Sequence, residues 1–242
     1  MKHAAGPAIH AVYPWVPGSP EKGPRHQLLS DDARAQLARI ATIVRLDKGQ
    51  EIYREGAAAD AAFNIITGVV VAYHSRGDAE HVISFLYPGD LFGLSEEGRY
   101  ANATRAVTPV AAYRMPVPAI RRILDNNADL DVNIIIKLCE ELREAQRHAV
   151  LLVQKRAVTR LAMFLDLQEH LQAARGEPIS EIYLPMDRSS IAAYLGLSLG
   201  ALSRAFRMLV SRKLITSRSL HYVKVVDRNA FNRLAVASPD ES

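Results

Sequence analysis

The residues with the clearest chemical potential are basic and lie in the last third of the chain. Between Arg188 and Arg233 there are nine lysines and arginines and a single acid, Asp227, a balance of +8. Such a stretch attracts a polyanion. Within it, Ser203 and Arg204 lie one turn into an apolar helical pattern. An arginine there can donate two hydrogen bonds to O6 and N7 of a guanine, which predicts double-stranded DNA as the partner.

The residues around Gly196 have the spacing of two short helices that cross closely. Asp187 and Ser198 are suited to cap the first and the second helix. Ala192, four residues before the glycine, is small where the helices approach each other. Leu202, six residues after it, is apolar where the second helix must anchor in a core. This pattern predicts a helix-turn-helix whose second helix enters the major groove.

The strand-like residues 214–216 and 222–226, on either side of Arg218, predict a hairpin that forms a wing. We expect Ser203 and Arg204 to read bases and small Gly200 to let the backbone approach DNA. The residues expected to hold phosphates are Arg188, Ser189, Ser198, Arg207 and Arg218. A solvated basic face is the alternative reading of these residues.

The spacing of apolar residues changes twice in the middle of the chain. From about 44 to 115, short β-branched and aromatic runs between glycines, including residues 62–66, 69–73, 81–87 and 106–113, predict an antiparallel sandwich or barrel. From 129 onward the period is helical, and six apolar positions form an a/d seam that predicts a dimer helix: Ile135, Leu138, Leu142, Ala145, Ala149 and Leu152. A helix packed on its own domain is the alternative.

Composition excludes several classes of protein. The 242 residues are 49% hydrophobic and 23% charged, without a long apolar run or a secretory signal, which predicts a globular, cytoplasmic protein that makes no membrane contact. The one cysteine, Cys139, excludes an intrachain disulfide. No phosphate-binding glycine loop, HExxH motif or nucleophile elbow is present, so we predict no enzymatic activity.

Three stretches together resemble the CRP/FNR family of bacterial transcription regulators, in its FNR/FixK-like branch. They are LPMDRSSIAAYLGLSLGALSRAFRMLVSRKLI (184–215), GQEIYREGAAADAAFNIITGVVVAY (49–73) and ISFLYPGDLFGL (83–94). The prolines and glycines of residues 1–24 predict an irregular tail. For the rest, the resemblance implies an α+β chain with a jelly-roll type β-roll sensor domain (25–128), a dimerisation helix (129–154) and a winged helix-turn-helix (155–235). It also implies a homodimer on a palindromic operator, acting beside RNA polymerase.

Departures from the family pattern indicate which of the family's effectors this protein does not use. Leu94 follows Phe92-Gly93 where cyclic-AMP receptors have a glutamate, and Tyr100-Ala101 stand where their Arg-Ser pair holds the phosphate. We therefore predict no cyclic-AMP response. Without cysteines in the first 138 residues, an N-terminal iron–sulfur cluster is also excluded.

The effector itself stays open at this point. No cofactor is predicted; a small organic ligand, haem with a bound gas (eight histidines are present), and control by expression level alone all remain. Gly200 stands where FNR-type regulators have a glutamate, so specificity at one or two operator positions is expected to be relaxed or altered. The rival class is a ligand-binding module whose helix-turn-helix docks a protein.

Overall fold

The computed structural model describes residues 31–77, 79–95, 97–124 and 128–236. They form two compact units, one up to Glu140 and one from Glu141 onward. The boundary between the units falls inside one long helix. The tail predicted for residues 1–24 lies outside the described residues.

The first unit is built mostly of short antiparallel strands between three helices. The helices are α1 (Asp31–Ile40), α2 (Val117–Leu124) and the start of α3 (Ala128–Val153). The strands are β1 (Thr42–Leu46), β2 (Glu51–Tyr53), β3 (Ala61–Thr67), β4 (Val70–Arg76), β5 (Ala79–Leu86), β6 (Leu91–Phe92), β7 (Ala103–Ala106) and β8 (Val110–Pro116). Together they confirm the predicted antiparallel β-domain of jelly-roll type.

The eight strands form two four-stranded sheets, in the orders β1-β8-β3-β6 and β2-β7-β4-β5. The predicted run 106–113 is in fact two strands in different sheets, because residues 107–109 turn the chain from β7 to β8. Gly68 makes the matching turn between β3 and β4. Its φ is +91°, and a Cβ there would lie 2.3 Å from the carbonyl oxygen of Pro109, so only glycine fits.

The second unit contains the end of α3 and the rest of the chain. Its further helices are α4 (Ala157–Ala174), α5 (Arg188–Tyr194), α6 (Leu199–Ser211) and α7 (Arg228–Val236). Its strands are β9 (Ile182–Tyr183), β10 (Ile215–Ser217) and β11 (Tyr222–Val225), in the sheet order β10-β11-β9. Helix α4 is its centre, since Leu161, Phe164 and Leu165 are completely buried.

The helix predicted over 129–154 is observed as α3, with the bounds 128–153. Its end is set by a short non-helical link before α4, in which the Gln154 side chain is buried. Among the described residues, no helix combines the length and the apolar character needed to cross a membrane.

Candidate DNA-binding interface

Both helices of the predicted helix-turn-helix begin at the expected caps. The Asp187 carboxylate accepts a hydrogen bond from the backbone N–H of Ser190 at 2.7 Å, at the start of α5. The Ser198 hydroxyl oxygen accepts one from the N–H of Ala201 at 3.2 Å, at the start of α6. Each cap satisfies an amide that the first helical turn leaves without a partner.

The turn between α5 and α6 depends on Gly196. Its φ is +61°, a left-handed conformation that favours glycine, and a Cβ there would stand 3.3 Å from a methyl carbon of Leu152. Ala192 and Leu202, the small and the anchoring residue of the pattern, are 3% and 1% exposed. The sequence spacing therefore corresponds to a tight, well-packed crossing.

One face of α6 is exposed and carries the predicted base-reading residues. Ser203, Arg204 and Arg207 are exposed on it, whereas Leu202, Ala205 and Leu209 are buried on the opposite face. Leu199, at the first helical position, is 53% exposed and was not among the predicted residues. The signal that could have identified it is its place beside the cap, outside the apolar period of the helix. An exposed apolar group there suits a thymine methyl.

Gly200 lies on the same exposed face. Its φ is not in the left-handed region, and a Cβ added there would meet Nη1 of Arg204 at 3.4 Å, an ordinary contact with a flexible side chain. A larger residue can therefore be accommodated at this position. The glycine leaves this part of the exposed face open, and, unlike the glutamate of FNR-type regulators, it places no carboxylate next to Arg204.

The two predicted phosphate contacts at the start of α5 have different surroundings. Arg188 is half-buried, and its guanidinium carbon lies 3.6 Å from the centre of the Phe206 ring. Burial lowers the pKa of Arg188. The Ser189 hydroxyl donates to the Asp187 carboxylate at 2.6 Å, so its single hydrogen is already used. In this rotamer Ser189 can only accept, which does not suit a phosphate.

The wing is the hairpin of β10 and β11, as predicted, and Arg218 lies at its turn. The Arg218 Nη2 group donates to Glu181 at 3.1 Å, and the guanidinium lies 4.2 Å from the Tyr222 ring centre. The hydrogen bond with Glu181 raises the pKa of Arg218. This exposed pair is screened by water, so it competes only weakly with a phosphate.

Two polar side chains, one near the end of α3 and one near the start of α4, contact the helix-turn-helix. The ring of His148 on α3 stacks on that of Tyr194 at 4.0 Å. Arg160 on α4 donates from Nε to the Gln154 carbonyl at 2.8 Å and from Nη1 to the Leu195 carbonyl at 2.9 Å. Neither residue was predicted, because both lie within ordinary helical sequence.

Four of the six residues of the predicted dimer seam have described side chains. The side chains of Ile135 and Leu138 lie outside the described residues, although the helix itself continues through them. Four seam residues are exposed: Leu142 (61%), Ala145, Ala149 and Leu152 (38%). The Leu152 side chain also lies next to Gly196. Val150 (52%) and Val153 (65%) are exposed apolar residues of α3 that the seam omitted.

The interior of the first unit is filled by aromatic rings near Gly93. The Tyr53 and Tyr100 rings stack at 3.7 Å, and those of Phe63 and Phe92 at 5.3 Å. Tyr100 is 5% exposed, its hydroxyl donates to the Ala61 carbonyl at 2.8 Å, and burial raises its pKa. A neutral, packed phenol therefore stands where the phosphate-binding arginine of the resemblance is expected.

The two arginines closest to Tyr100 in sequence are already engaged. Arg99 donates from Nη1 to the Gly56 carbonyl at 2.8 Å. Arg105 forms two hydrogen bonds with the Glu80 carboxylate, at 2.7 and 2.8 Å, and lies over the Tyr73 ring. Both arginines are thus engaged by groups other than the aromatic interior.

Comparison with known proteins places the chain among regulators of transcription. Residues 43–127 match the cyclic nucleotide-binding domain family and residues 159–234 match the Crp-like helix-turn-helix domain family. The nitrogen fixation regulation protein FixK of Azorhizobium caulinodans is 28% identical over 200 residues, 82% of this chain and 81% of that protein. The transcriptional activatory protein AadR of Rhodopseudomonas palustris is 29% identical over 205 residues, 84% of each chain.

A solved structure shows the same architecture. FixK2 from Bradyrhizobium japonicum superposes with a TM-score of 0.76 and 26% identity, covering 82% of this chain and 99% of that one. An antiparallel β-domain, a long helix and a capped, basic helix-turn-helix with a wing define a sequence-specific DNA-binding transcription regulator. The chain belongs to the CRP/FNR family, in its FNR/FixK-like branch, a family of regulators rather than enzymes.

Proposed function

We propose that this regulator acts as a cytoplasmic homodimer on a palindromic operator, without cyclic AMP and without an iron–sulfur cluster, and presents the bound DNA beside RNA polymerase. The observation that carries the proposal is the exposed face of α6, on which Ser203, Arg204 and Arg207 lie beside a capped helix start. The exposed positive charge of this face steers the protein to DNA, and the affinity should fall steeply with salt.

The role proposed for each side chain at the DNA interface follows from its surroundings. Arg204 reads a guanine, and Ser203 contacts a base or a phosphate. Ser198 keeps its hydroxyl hydrogen for a phosphate, because only its oxygen is used by the cap. Arg188, Arg207 and Arg218 supply positive charge at the edges of the interface, and Leu199 adds an apolar base contact.

Dimerisation through α3 is supported by an exposed apolar stripe in its second half. Leu142, Ala145 and Ala149 follow one another at spacings of three and four residues, and all three are exposed in the single chain. An isolated helix gains nothing from exposing such a stripe, whereas two copies packed side by side bury it. The two recognition helices then address half-sites about 34 Å apart.

Independence from cyclic AMP is supported by the packed interior of the first unit. A phosphodiester there would need a positive partner, and Tyr100 offers none, while Arg99 and Arg105 have other partners. Burying an unpaired phosphate is strongly unfavourable. A small apolar ligand would have to displace rings that already stack on one another.

The resemblance to the family implies TTGA-type half-sites in the operator. The function is tested by equilibrium binding of the purified protein to duplexes with inverted TTGA half-sites and to matched duplexes with one base pair changed. Arg204→Ala is expected to cost roughly 1–3 kcal/mol and to remove discrimination at one position of each half-site. Arg233→Ala, an exposed arginine on α7, is the control with the same loss of charge. If Arg204→Ala weakens all duplexes equally, its base-reading role is wrong.

A further inference from the structure

The stacked pair of Arg188 and Phe206 differs from the other arginine contacts of the second unit. Arg160 donates to backbone carbonyls, and Arg228 forms two hydrogen bonds with the Glu169 carboxylate. Among the described residues, Nη1 of Arg188 is buried without a hydrogen-bond partner, and no carboxylate lies within ion-pair distance of its guanidinium. What fixes this guanidinium is therefore the aromatic ring beneath it, at 3.6 Å.

Phe206 lies at the edge of the exposed face of α6. It comes three residues after Ser203 and directly before Arg207, and it is half-buried. Its ring therefore links the start of α5 to the edge of α6, the reading helix of the proposed interface. Arg188 is held beside this edge, with a positive charge that the described part of the chain does not compensate.

We propose that Phe206 is a positioning residue that holds the Arg188 guanidinium flat beside the reading helix, so that it meets a phosphate of the bound DNA. A guanidinium without an ionic partner gains most from an anion, and immobilisation on the ring lowers the entropy lost when that contact forms. The burial that lowers the pKa of Arg188 leaves it fully charged near neutral pH, because an arginine starts far above that range. This inference rests on the proposed phosphate contact of Arg188.

The test compares Phe206→Leu, Phe206→Tyr, Arg188→Ala and the double variant Arg188→Ala/Phe206→Leu in the full-length protein. Binding to a duplex with inverted TTGA half-sites and to a random duplex is measured at several salt concentrations. Each phosphate contact contributes about 0.9 to the slope of log K against log[salt]. We expect Arg188→Ala to reduce the slope by roughly that amount per protomer.

We expect Phe206→Leu to reduce both the slope and the affinity, equally for both duplexes, and Phe206→Tyr, which keeps the ring, to leave them unchanged. In the Arg188→Ala background, Phe206→Leu should have no further effect on DNA binding. Thermal unfolding of each variant separates these effects from a loss of folding, and Phe206→Met replaces Phe206→Leu if leucine unfolds the domain.

The outcomes also separate this inference from the proposed function. If Arg188→Ala lowers the slope while Phe206→Leu changes nothing, the phosphate contact stands and the positioning role of Phe206 is overturned. The positioning role is likewise overturned if Phe206→Leu acts equally with and without Arg188. If Arg188→Ala leaves the slope unchanged, the phosphate contact itself fails, and the inference fails with it.

Discussion

Nε2–H of His148 donates a hydrogen bond to the backbone carbonyl of Tyr194 at 2.7 Å, while the two rings lie nearly parallel, 6° apart. This contact joins the end of α3 to the last residue of α5. It requires the Nε2–H form of the ring, and burial makes a second proton unfavourable, so the pKa of His148 is lowered. Glu144 and Arg147 on the same helix also act electrostatically on Tyr194.

The first prediction concerns pH. An unfolded histidine takes up a proton near pH 6.5, whereas folded His148 resists it, so its contribution is complete above pH 6.5 and is lost as pH falls from there through the lowered pKa. Between pH 7.5 and 5.5, we expect the melting temperature of the wild type to fall further than that of His148→Gln. Equal falls in differential scanning calorimetry would show that His148 does not contribute to the acid sensitivity.

The second prediction concerns Arg160. Replacing it by methionine keeps the aliphatic packing but removes the donors to the Gln154 and Leu195 carbonyls. Because hydrogen bonds from a charged donor contribute about 1.5–3 kcal/mol each, we expect a loss of roughly that size or more in the free energy of unfolding in urea. Arg143→Met, at an exposed position of α3, is the control and should change it little. Similar losses in both variants would contradict the role of Arg160.

The third prediction concerns Gly200. A glutamate there is sterically acceptable, since the new Cβ meets only the flexible end of Arg204. A carboxylate next to Arg204, the proposed base-reading residue, can accept a hydrogen bond from a cytosine amino group. We expect Gly200→Glu to sharpen selection at one base-pair position of each half-site, measured by sequencing duplexes selected from a random pool.

Gly200→Ala is the matched control, because it raises helix propensity by up to about 1 kcal/mol without adding a carboxylate. It should stabilise α6 and leave the selected sequence unchanged. An identical shift of the selected sequence in both variants would mean that bulk, not the carboxylate, determines the preference.

The fourth prediction concerns assembly. Leu142→Glu places a charge on the exposed stripe of α3, and in a helix pair the two charges would face each other. Sedimentation equilibrium is expected to show the mass of two 26.7 kDa chains for the wild type and of one for this variant. Arg143→Glu, one residue on and off the seam, should remain dimeric. A dimeric Leu142→Glu would place the interface elsewhere.

The fifth prediction concerns cyclic AMP. Isothermal titration of the purified protein with cyclic AMP should show no binding in the micromolar range, because Tyr100 presents a buried neutral phenol to the expected phosphate position. Operator affinity should be the same with and without the nucleotide. Micromolar binding would overturn this interpretation of the aromatic interior.

The sequence predicted most of what depends on local pattern. Asp187, Gly196 and Ser198 mark the helix-turn-helix by their residue types alone, and the period change near 129 locates the long helix within one residue of its observed start. The strand β6 was missed because it has only two residues, and the 106–113 run was wrongly read as one strand because its turn contains β-branched Val107 and Thr108.

Contacts between distant residues could not be predicted in this way. Arg188 meets Phe206 across 18 positions, His148 meets Tyr194 across 46, and Arg160 reaches Leu195 across 35. Arginines and histidines in these settings look like ordinary surface residues in the sequence. Only packing decides whether such a side chain faces water, an aromatic ring or a backbone carbonyl.

The packing of α3 against the helix-turn-helix links the spacing of the two DNA half-sites to the pairing of the α3 helices in the proposed dimer. His148 contacts Tyr194, and Leu152 lies next to Gly196, so the second half of α3 packs directly against the helix-turn-helix. In a two-fold dimer, the angle at which the paired helices cross is then converted into a distance between half-sites. Operators lengthened or shortened by single base pairs would therefore measure that angle in solution, with affinity as the scale.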